Sequence, residues 1–291
     1  MKKVFLFVLI IFSLTFIILL FNNKNKEELI KNPSQYLPPE KLNKLILDAR
    51  QKIEESPEEI SSYIDAGIAN YQKGIDSYPD AINQLQKAFK LGAMDIRILF
   101  YLSIMYDELN LTDKAFNYYE KYLRNNSKDV YIRLRYGNLY FRLNRYDSAS
   151  EQYEMVLAKE PNNQTAIINL AMSYKARDMY DEALEKFKKA QELKPALTSE
   201  VLVKIAELYY IKNDFANAEI CYNKVLENKP ESIVALSGLS QTFLKLNKND
   251  DAKKCIENIL SLDPNNEQAK NYLKKVYNIP AKEKRTEIRK K

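Results

Sequence analysis

Histidine and tryptophan are absent from the 291 residues, cysteine occurs twice and glycine five times. Each shortage removes a class of chemistry. Without histidine there is no usual general base, no Ser-His or Cys-His nucleophile pair and no imidazole for a metal. Two cysteines cannot build a four-thiolate zinc site. The glycines, Gly67, Gly74, Gly92, Gly137 and Gly238, frame no GxxxxGK or GxGxxG loop that would cradle a phosphate. The sequence therefore reads as non-enzymatic, with no cofactor and no metal. Apolar residues, at 46%, suffice for a folded chain.

Charge is also scarce where it would matter most. The formal net charge is +6, but residues 1–31 hold five lysines against two glutamates, and 281–291 hold six basic side chains against two acidic. The body between is nearly neutral, so no body-wide basic footprint for nucleic acid is present. Residues 279–291 read as a basic disordered tail. A binder of anionic lipid or nucleic acid is an alternative function that rests mainly on such charge.

One long hydrophobic run exists. Val4–Phe21 is eighteen residues without a charge, and Met1-Lys2-Lys3 precedes it. As a helix it would be about 27 Å long, close to the hydrocarbon thickness of a bilayer. A cleaved signal peptide is the competing reading, but its apolar region is shorter and ends in small residues, whereas this one ends Leu19-Leu20-Phe21-Asn22. Residues 1–21 are thus read as a single-pass signal-anchor and 22–39 as a polar tether. Lys2 and Lys3 favour an inner-membrane anchor with the remainder outside the cytoplasm. Lys24, Lys26 and Lys31 pull the other way, so a cytoplasm-facing adaptor that recruits soluble factors is the alternative.

The remaining chain is periodic. Alanines fall at Ala81, Ala115, Ala149, Ala183, Ala218 and Ala252, spaced 34 or 35 apart. Three further series share that period: Pro161, Pro195, Pro230 and Pro264; Tyr106, Tyr140, Tyr174, Tyr209 and Phe243; and Asn110, Asn144, Asp178, Asn213 and Asn247. Within a unit the apolar spacing gives helix, short turn, helix. In 130–163, Tyr136, Gly137 and Tyr140 share one face, and Ala149, Tyr153 and Val156 share another. Gly137 and Ala149 are small, which lets two helix axes approach. Asn144 falls in the turn, and Asn and Asp tolerate the left-handed backbone better than other residues with a Cβ. A single hairpin cannot bury its apolar face, but stacked neighbours can.

The unit resembles the tetratricopeptide repeat, whose 34 residues run W-x2-L-G-x2-Y, then A-x3-F, A and P. In 164–197 the matching residues are Ile167, Leu170-Ala171, Tyr174, Ala183, Phe187, Ala190 and Pro195; in 199–232 they are Leu202, Ile205-Ala206, Tyr209, Ala218, Tyr222, Val225 and Pro230. The resemblance implies an all-α solenoid of six repeats at 60–95, 96–129, 130–163, 164–197, 199–232 and 233–266. The first fits only if the turn near Gly74–Tyr78 holds two extra residues. Residues 40–55, with Leu42, Leu45, Ile46, Ala49 and Ile53 on one face, are read as an N-terminal capping helix, and 267–278 as a C-terminal capping helix. Ser56-Pro57-Glu58-Glu59 reads as a capping box opening the first repeat.

The resemblance also implies a function, a scaffold that binds a peptide or partner protein in a concave groove. The groove is lined by the second, fifth, sixth, ninth and twelfth residues of each unit. In the middle units these include Arg97, Phe100, Tyr101, Ile104, Tyr131, Leu134, Arg135, Asn138, Phe141, Asn169, Met172, Lys175 and Lys204. One branch of the family clamps a terminal carboxylate with Lys, Asn and Arg. Here Asn138, Asn169 and Lys204 stand at matching positions, but Leu134 and Glu200 replace two cations, which argues against that clamp. Tyr106, Tyr119, Tyr140, Tyr146, Tyr153, Tyr174, Tyr180, Tyr209 and Tyr222 hold packing positions and are read as core. Arg133, Arg135, Arg142 and Arg145 are read as a solvated face. Cys221 and Cys255 recur at one position in successive units, too far apart for a disulfide, so two free thiols are expected.

Overall fold

A computed structural model describes residues 37–193 and 198–277. The apolar run Val4–Phe21, most of the tether and the basic tail lie outside the described residues. Among the described residues no helix is long and apolar enough to cross a membrane.

The described residues form fourteen α-helices: α1 (Pro39–Glu55), α2 (Ile60–Lys73), α3 (Tyr78–Lys90), α4 (Ile96–Glu108), α5 (Thr112–Asn125), α6 (Val130–Arg142), α7 (Tyr146–Lys159), α8 (Gln164–Ala176), α9 (Tyr180–Leu193), α10 (Thr198–Ile211), α11 (Phe215–Asn228), α12 (Ile233–Lys245), α13 (Asn249–Leu262) and α14 (Glu267–Tyr277). From α2 onward they pair as six helix hairpins, α2–α3 through α12–α13. The chain divides into two compact units, Met1–Ile132 and Arg133–Lys291, with the division inside α6.

In the first unit α1 packs on α2, and the first helices of successive hairpins, α2 and α4, touch. The face of α1 that is buried is Leu42, Ile46 and Ala49, and Leu42 and Ile46 cluster with Ala69 of α2. Leu45, expected on that face, is 41% exposed. The expected capping box also differs. Ser56 ends α1 and its carbonyl accepts the Glu59 amide, so α2 opens at Ile60, and the Glu59 carboxylate accepts from the Ser61 and Ser62 hydroxyls instead. The two additional turn residues are present. Gly74, at φ 103°, leads into a short 3-10 turn, Ile75–Ser77, before α3.

In the second unit each hairpin stacks on the next, and α10 touches α12 in the inner layer. One continuous core runs from Ala171 to Ala269, with Phe187, Leu208 and Ile256 fully buried. Amphipathic α14 closes this end. Ala269 is buried, Tyr272, Leu273 and Val276 lean on the core, and Asn271 and Lys274 face outward, as a terminal unit of a stack requires.

The five Asn/Asp positions all adopt the left-handed conformation: Asn110, Asn144, Asp178, Asn213 and Asn247 have φ between 56° and 61°. Each turn is the same two-bond cap. In the first, the Leu111 amide donates to the Tyr106 carbonyl at 2.8 Å and the Asn110 amide donates to the Asp107 carbonyl at 3.0 Å. The pairs Arg145–Tyr140, Met179–Tyr174, Asp214–Tyr209 and Lys248–Phe243 repeat it. This is the Schellman cap with Asn or Asp in the place of glycine. The contact that usually accompanies it is apolar; here Arg145 lies 4.7 Å from the Tyr140 ring centre and Lys248 lies 5.5 Å from that of Phe243, so a cation over a ring does that work twice.

A further series was not singled out from the sequence. Asp95, Asp129, Asn163 and Ser232 precede first helices and Asn266 precedes α14, and each accepts a hydrogen bond from an amide of the first turn. Each satisfies one of the amides that a helix start leaves without a partner.

Candidate functional site: the inner-face stripe

The groove positions behave differently in the two units. In the first, ten consecutive residues of α4, Ile98 to Asp107, are buried. Phe100, Tyr101 and Ile104 keep 3%, 6% and 0% of their surface. Phe100 stands 5.1 Å from Tyr101, 5.7 Å from Tyr122 and 6.1 Å from Tyr131, centre to centre, and Tyr101 lies 4.8 Å from Tyr71. These three stripe residues are part of an aromatic interior, not a lining open to solvent. Arg97 is half-buried and forks onto the Asp95 carboxylate, 2.7 Å at its shortest. Tyr131 is 40% exposed.

In the second unit the stripe is half-open. Leu134 and Phe141 lean on the cluster of Ala149, Tyr153 and Leu170, and Met172 leans on the main core. Asn138 accepts from the Tyr153 hydroxyl at 2.7 Å and from the Asn169 amide at 2.9 Å. The two asparagines of the clamp reading are thus brought together, but they satisfy each other. Arg135 is half-buried. Lys175 lies 2.5 Å from the Glu207 carboxylate, and Lys204 reaches the same carboxylate at 3.3 Å.

That shared carboxylate marks the edge of a pocket of about 420 Å³, lined by Lys175, Glu207, Tyr210, Ile211, Tyr222, Ile233, Val234, Ser237, Gly238, Gln241, Asn266 and Gln268. Glu207, Tyr210, Val234, Ser237, Gly238 and Gln241 occupy the stripe positions of the last two repeats. They were not among the named candidates, although the rule that picked Arg135 and Asn169 picks them too once it is carried to the end of the array. Gly238 would have been the signal, since it is the stripe residue without a side chain.

The tyrosines expected in the core split into two groups. Tyr106, Tyr119, Tyr153 and Tyr222 are buried; Tyr140, Tyr146, Tyr174, Tyr180 and Tyr209 are half-buried. Burial raises the pKa of the Tyr153 and Tyr222 phenols, so both are neutral donors at physiological pH. Gly137 makes room for the ring of Tyr153: a Cβ there would stand 2.6 Å from Cε1 of that ring. In the arginine cluster, Arg133 donates to Gln152 at 2.8 Å and Arg145 lies on Tyr140, so the cluster is docked to protein rather than simply solvated. Cys221 and Cys255 are free and buried, and burial pushes the Cys255 thiol up to about 11.

Comparison with known proteins agrees with this geometry. A pattern described as tetratricopeptide repeat matches residues 108–172, and a second of the same description matches 165–197, 199–232 and 234–266. No curated protein matches the chain. Among solved structures, the C-terminal part of a TPR repeat-containing protein from Cytophaga hutchinsonii superposes with TM-score 0.66 at 17% identity, over 81% of this chain and 99% of that one. A tetratricopeptide repeat protein from Parabacteroides merdae gives 0.55 at 21%, over 87% and 98%. The PilF protein of Pseudomonas aeruginosa gives 0.56 at 17%, over 74% and 97%. At such identities the likeness speaks for the fold alone. With the repeat patterns spanning more than half of its length and five identical left-handed turns setting their period, the chain belongs to the tetratricopeptide repeat family.

Proposed function

We propose that the chain is an interaction scaffold that seats a segment of a protein partner on the inner-face stripe of its second unit, from Leu134 and Asn138 through Asn169, Met172, Lys175 and Lys204 to the pocket around Gly238. The observation that carries this reading is that pocket: a concavity at stripe positions, with apolar walls and a few polar groups, on an array of packed helices. The scaffold holds the stripe in shape before binding, so little ordering cost is left to the complex.

The second part of the proposal is tethering. Val4–Phe21 would anchor the chain in the inner membrane with the repeats outside the cytoplasm, raising the effective concentration of the scaffold near membrane partners. Lys24, Lys26 and Lys31 favour the opposite orientation, in which the same scaffold recruits soluble factors.

Two experiments test these parts separately. A photo-crosslinking residue at Val234 or Gln241 in the full chain should capture a specific protein in cells, while one at Ile220, 50% exposed on α11, should not. Capture only from Ile220 would sink the groove reading. A topology reporter fused after residue 278 should be active outside the cytoplasm; cytoplasmic activity would reverse the orientation, and loss of membrane sedimentation would remove the tether.

A further inference from the structure

The pocket of the second unit has an unusual floor. At the sixth position of the repeat, neighbouring units carry Tyr101, Arg135, Asn169 and Lys204; the last carries Gly238. The tip of Tyr222 fills the space instead, with Cζ 2.2 Å and Oη 2.5 Å from where a Cβ would stand. Tyr222 is 96% buried by its 4% residual exposure. Yet its hydroxyl has no hydrogen-bond partner among the described residues. At the same repeat position, the Tyr119 hydroxyl donates to Asp107 and the Tyr153 hydroxyl donates to Asn138, both at 2.7 Å.

The cause is visible beside it. Glu207 holds in its repeat the place that Asn138 holds in its own, but its carboxylate is drawn onto Lys175 at 2.5 Å and Lys204 at 3.3 Å. This leaves the Tyr222 hydroxyl at the pocket without a protein acceptor among the described residues, free to donate to whatever enters. It also leaves two ammonium groups on one carboxylate, an excess of one positive charge at the pocket edge. The mouth is apolar: Val234 is 61% and Ile211 41% exposed. The volume, about 420 Å³, is at the small end for binding pockets and suits one large side chain with its own peptide group.

We propose that this pocket takes one large apolar side chain of an extended protein segment that carries an acidic residue next to it. The proposal rests on the reading that the second unit's stripe seats a protein partner. The apolar side chain lies against the Tyr222 tip that covers Gly238, between Ile211 and Val234. The peptide carbonyl of that residue accepts from the Tyr222 hydroxyl. The neighbouring carboxylate meets Lys175 and Lys204, whose combined charge Glu207 only half balances. Gly238 and Tyr222 set the size of the accepted side chain, and the lysine pair sets the sign of its neighbour.

The absence of tryptophan from the chain makes the test direct, because an indole in a probe is then the only one in the sample. The probe is the capped hexapeptide Gly-Ser-Trp-Asp-Ser-Gly, titrated with the full chain. Its emission should shift to the blue and its anisotropy rise. The Trp-Lys counterpart should bind at least about fivefold more weakly, with the gap narrowing at high salt. Tyr222→Phe should weaken the probe several-fold, and Gly238→Leu should abolish binding. No spectral change with the Trp-Asp probe, equal affinity for Trp-Lys, or unaltered binding by a folded Gly238→Leu chain would each overturn the proposal. If Gly238→Leu does not fold, Lys204→Gln decides: it should erase the preference for Asp over Lys, and an undiminished preference overturns the proposal. A partner crosslinked from Val234 together with a silent probe would sink the pocket chemistry and leave the scaffold standing; failure of both would sink both.

Discussion

The two units use one repeat for opposite ends. At the stripe positions of α4 the first unit carries Phe100, Tyr101 and Ile104, all buried, with aromatic rings in mutual contact. At the same positions the second unit carries Lys204 and Glu207 on α10 and Ser237, Gly238 and Gln241 on α12, and a pocket opens there. The packing positions hardly differ: Ala115 and Ala218 are both fully buried, as are Tyr119 and Phe187. A stacked array fixes the residues that face the next hairpin and leaves the inner face free to vary. What varies decides whether a stretch of array is core or open surface.

The largest test of that contrast is deletion of side chain at the stripe. Ile104→Ala removes buried aliphatic surface and should cost about 2–5 kcal/mol. Gln241→Ala, on the open stripe, should stay within about 0.5 kcal/mol. Urea unfolding followed by amide exchange in each unit reads both. Equal costs would mean that the inner face of α4 is not core.

A finer test uses one repeat position in both units. Tyr119→Phe removes the donor to the buried Asp107 carboxyl and should cost about 1–3 kcal/mol. Tyr222→Phe removes a hydroxyl that bonds to nothing in the described protein and should change stability by no more than about 0.5 kcal/mol. A large loss from Tyr222→Phe would show that its hydroxyl already has a structural partner.

The fold was readable in the sequence wherever a position had to do the same task in every repeat. The alanines, the Tyr106 series and the Asn/Asp turns recur because each hairpin closes on itself in the same way, and the six hairpins follow from them. The helix-start caps Asp95, Asp129, Asn163, Ser232 and Asn266 are harder to see because three amino-acid types share the task of accepting one amide hydrogen bond, so the series lacks a constant letter. The candidate site was readable only in part. Position rules say which residues point inward but not whether neighbours cover them, so Phe100, Tyr101 and Ile104 were selected beside Asn169 and Lys175. The pocket itself depends on a missing side chain, Gly238, and on a carboxylate diverted by two lysines, Glu207. Both are departures from the repeat, and periodicity reports only what repeats. Ser56 shows the local version of the same limit: Ser-Pro-Glu-Glu fits a helix start, but the Ser56 amide already donates to the Lys52 carbonyl at the end of α1.

The smallest effects should come at the turns, where the units agree. Asn110 in the first and Asn247 in the second sit at φ 56° and 58°, closed by the same pair of amide-to-carbonyl hydrogen bonds. An alanine there loses the local side-chain compensation that lets Asn occupy this region, so Asn110→Ala and Asn247→Ala should each cost about 1 kcal/mol. Glycine removes the Cβ conflict altogether but returns conformational freedom to the unfolded chain. These two contributions oppose each other, so Asn110→Gly and Asn247→Gly should lie within a few tenths of a kcal/mol of wild type, measured as the shift in melting temperature. The decisive quantity is the difference between units. Because the turn makes the same bonds in both, the four substitutions should rank alike in each. A unit in which glycine was clearly destabilising would be one whose asparagine side chain holds something beyond its own turn, and the contrast between the units would then reach past the inner face.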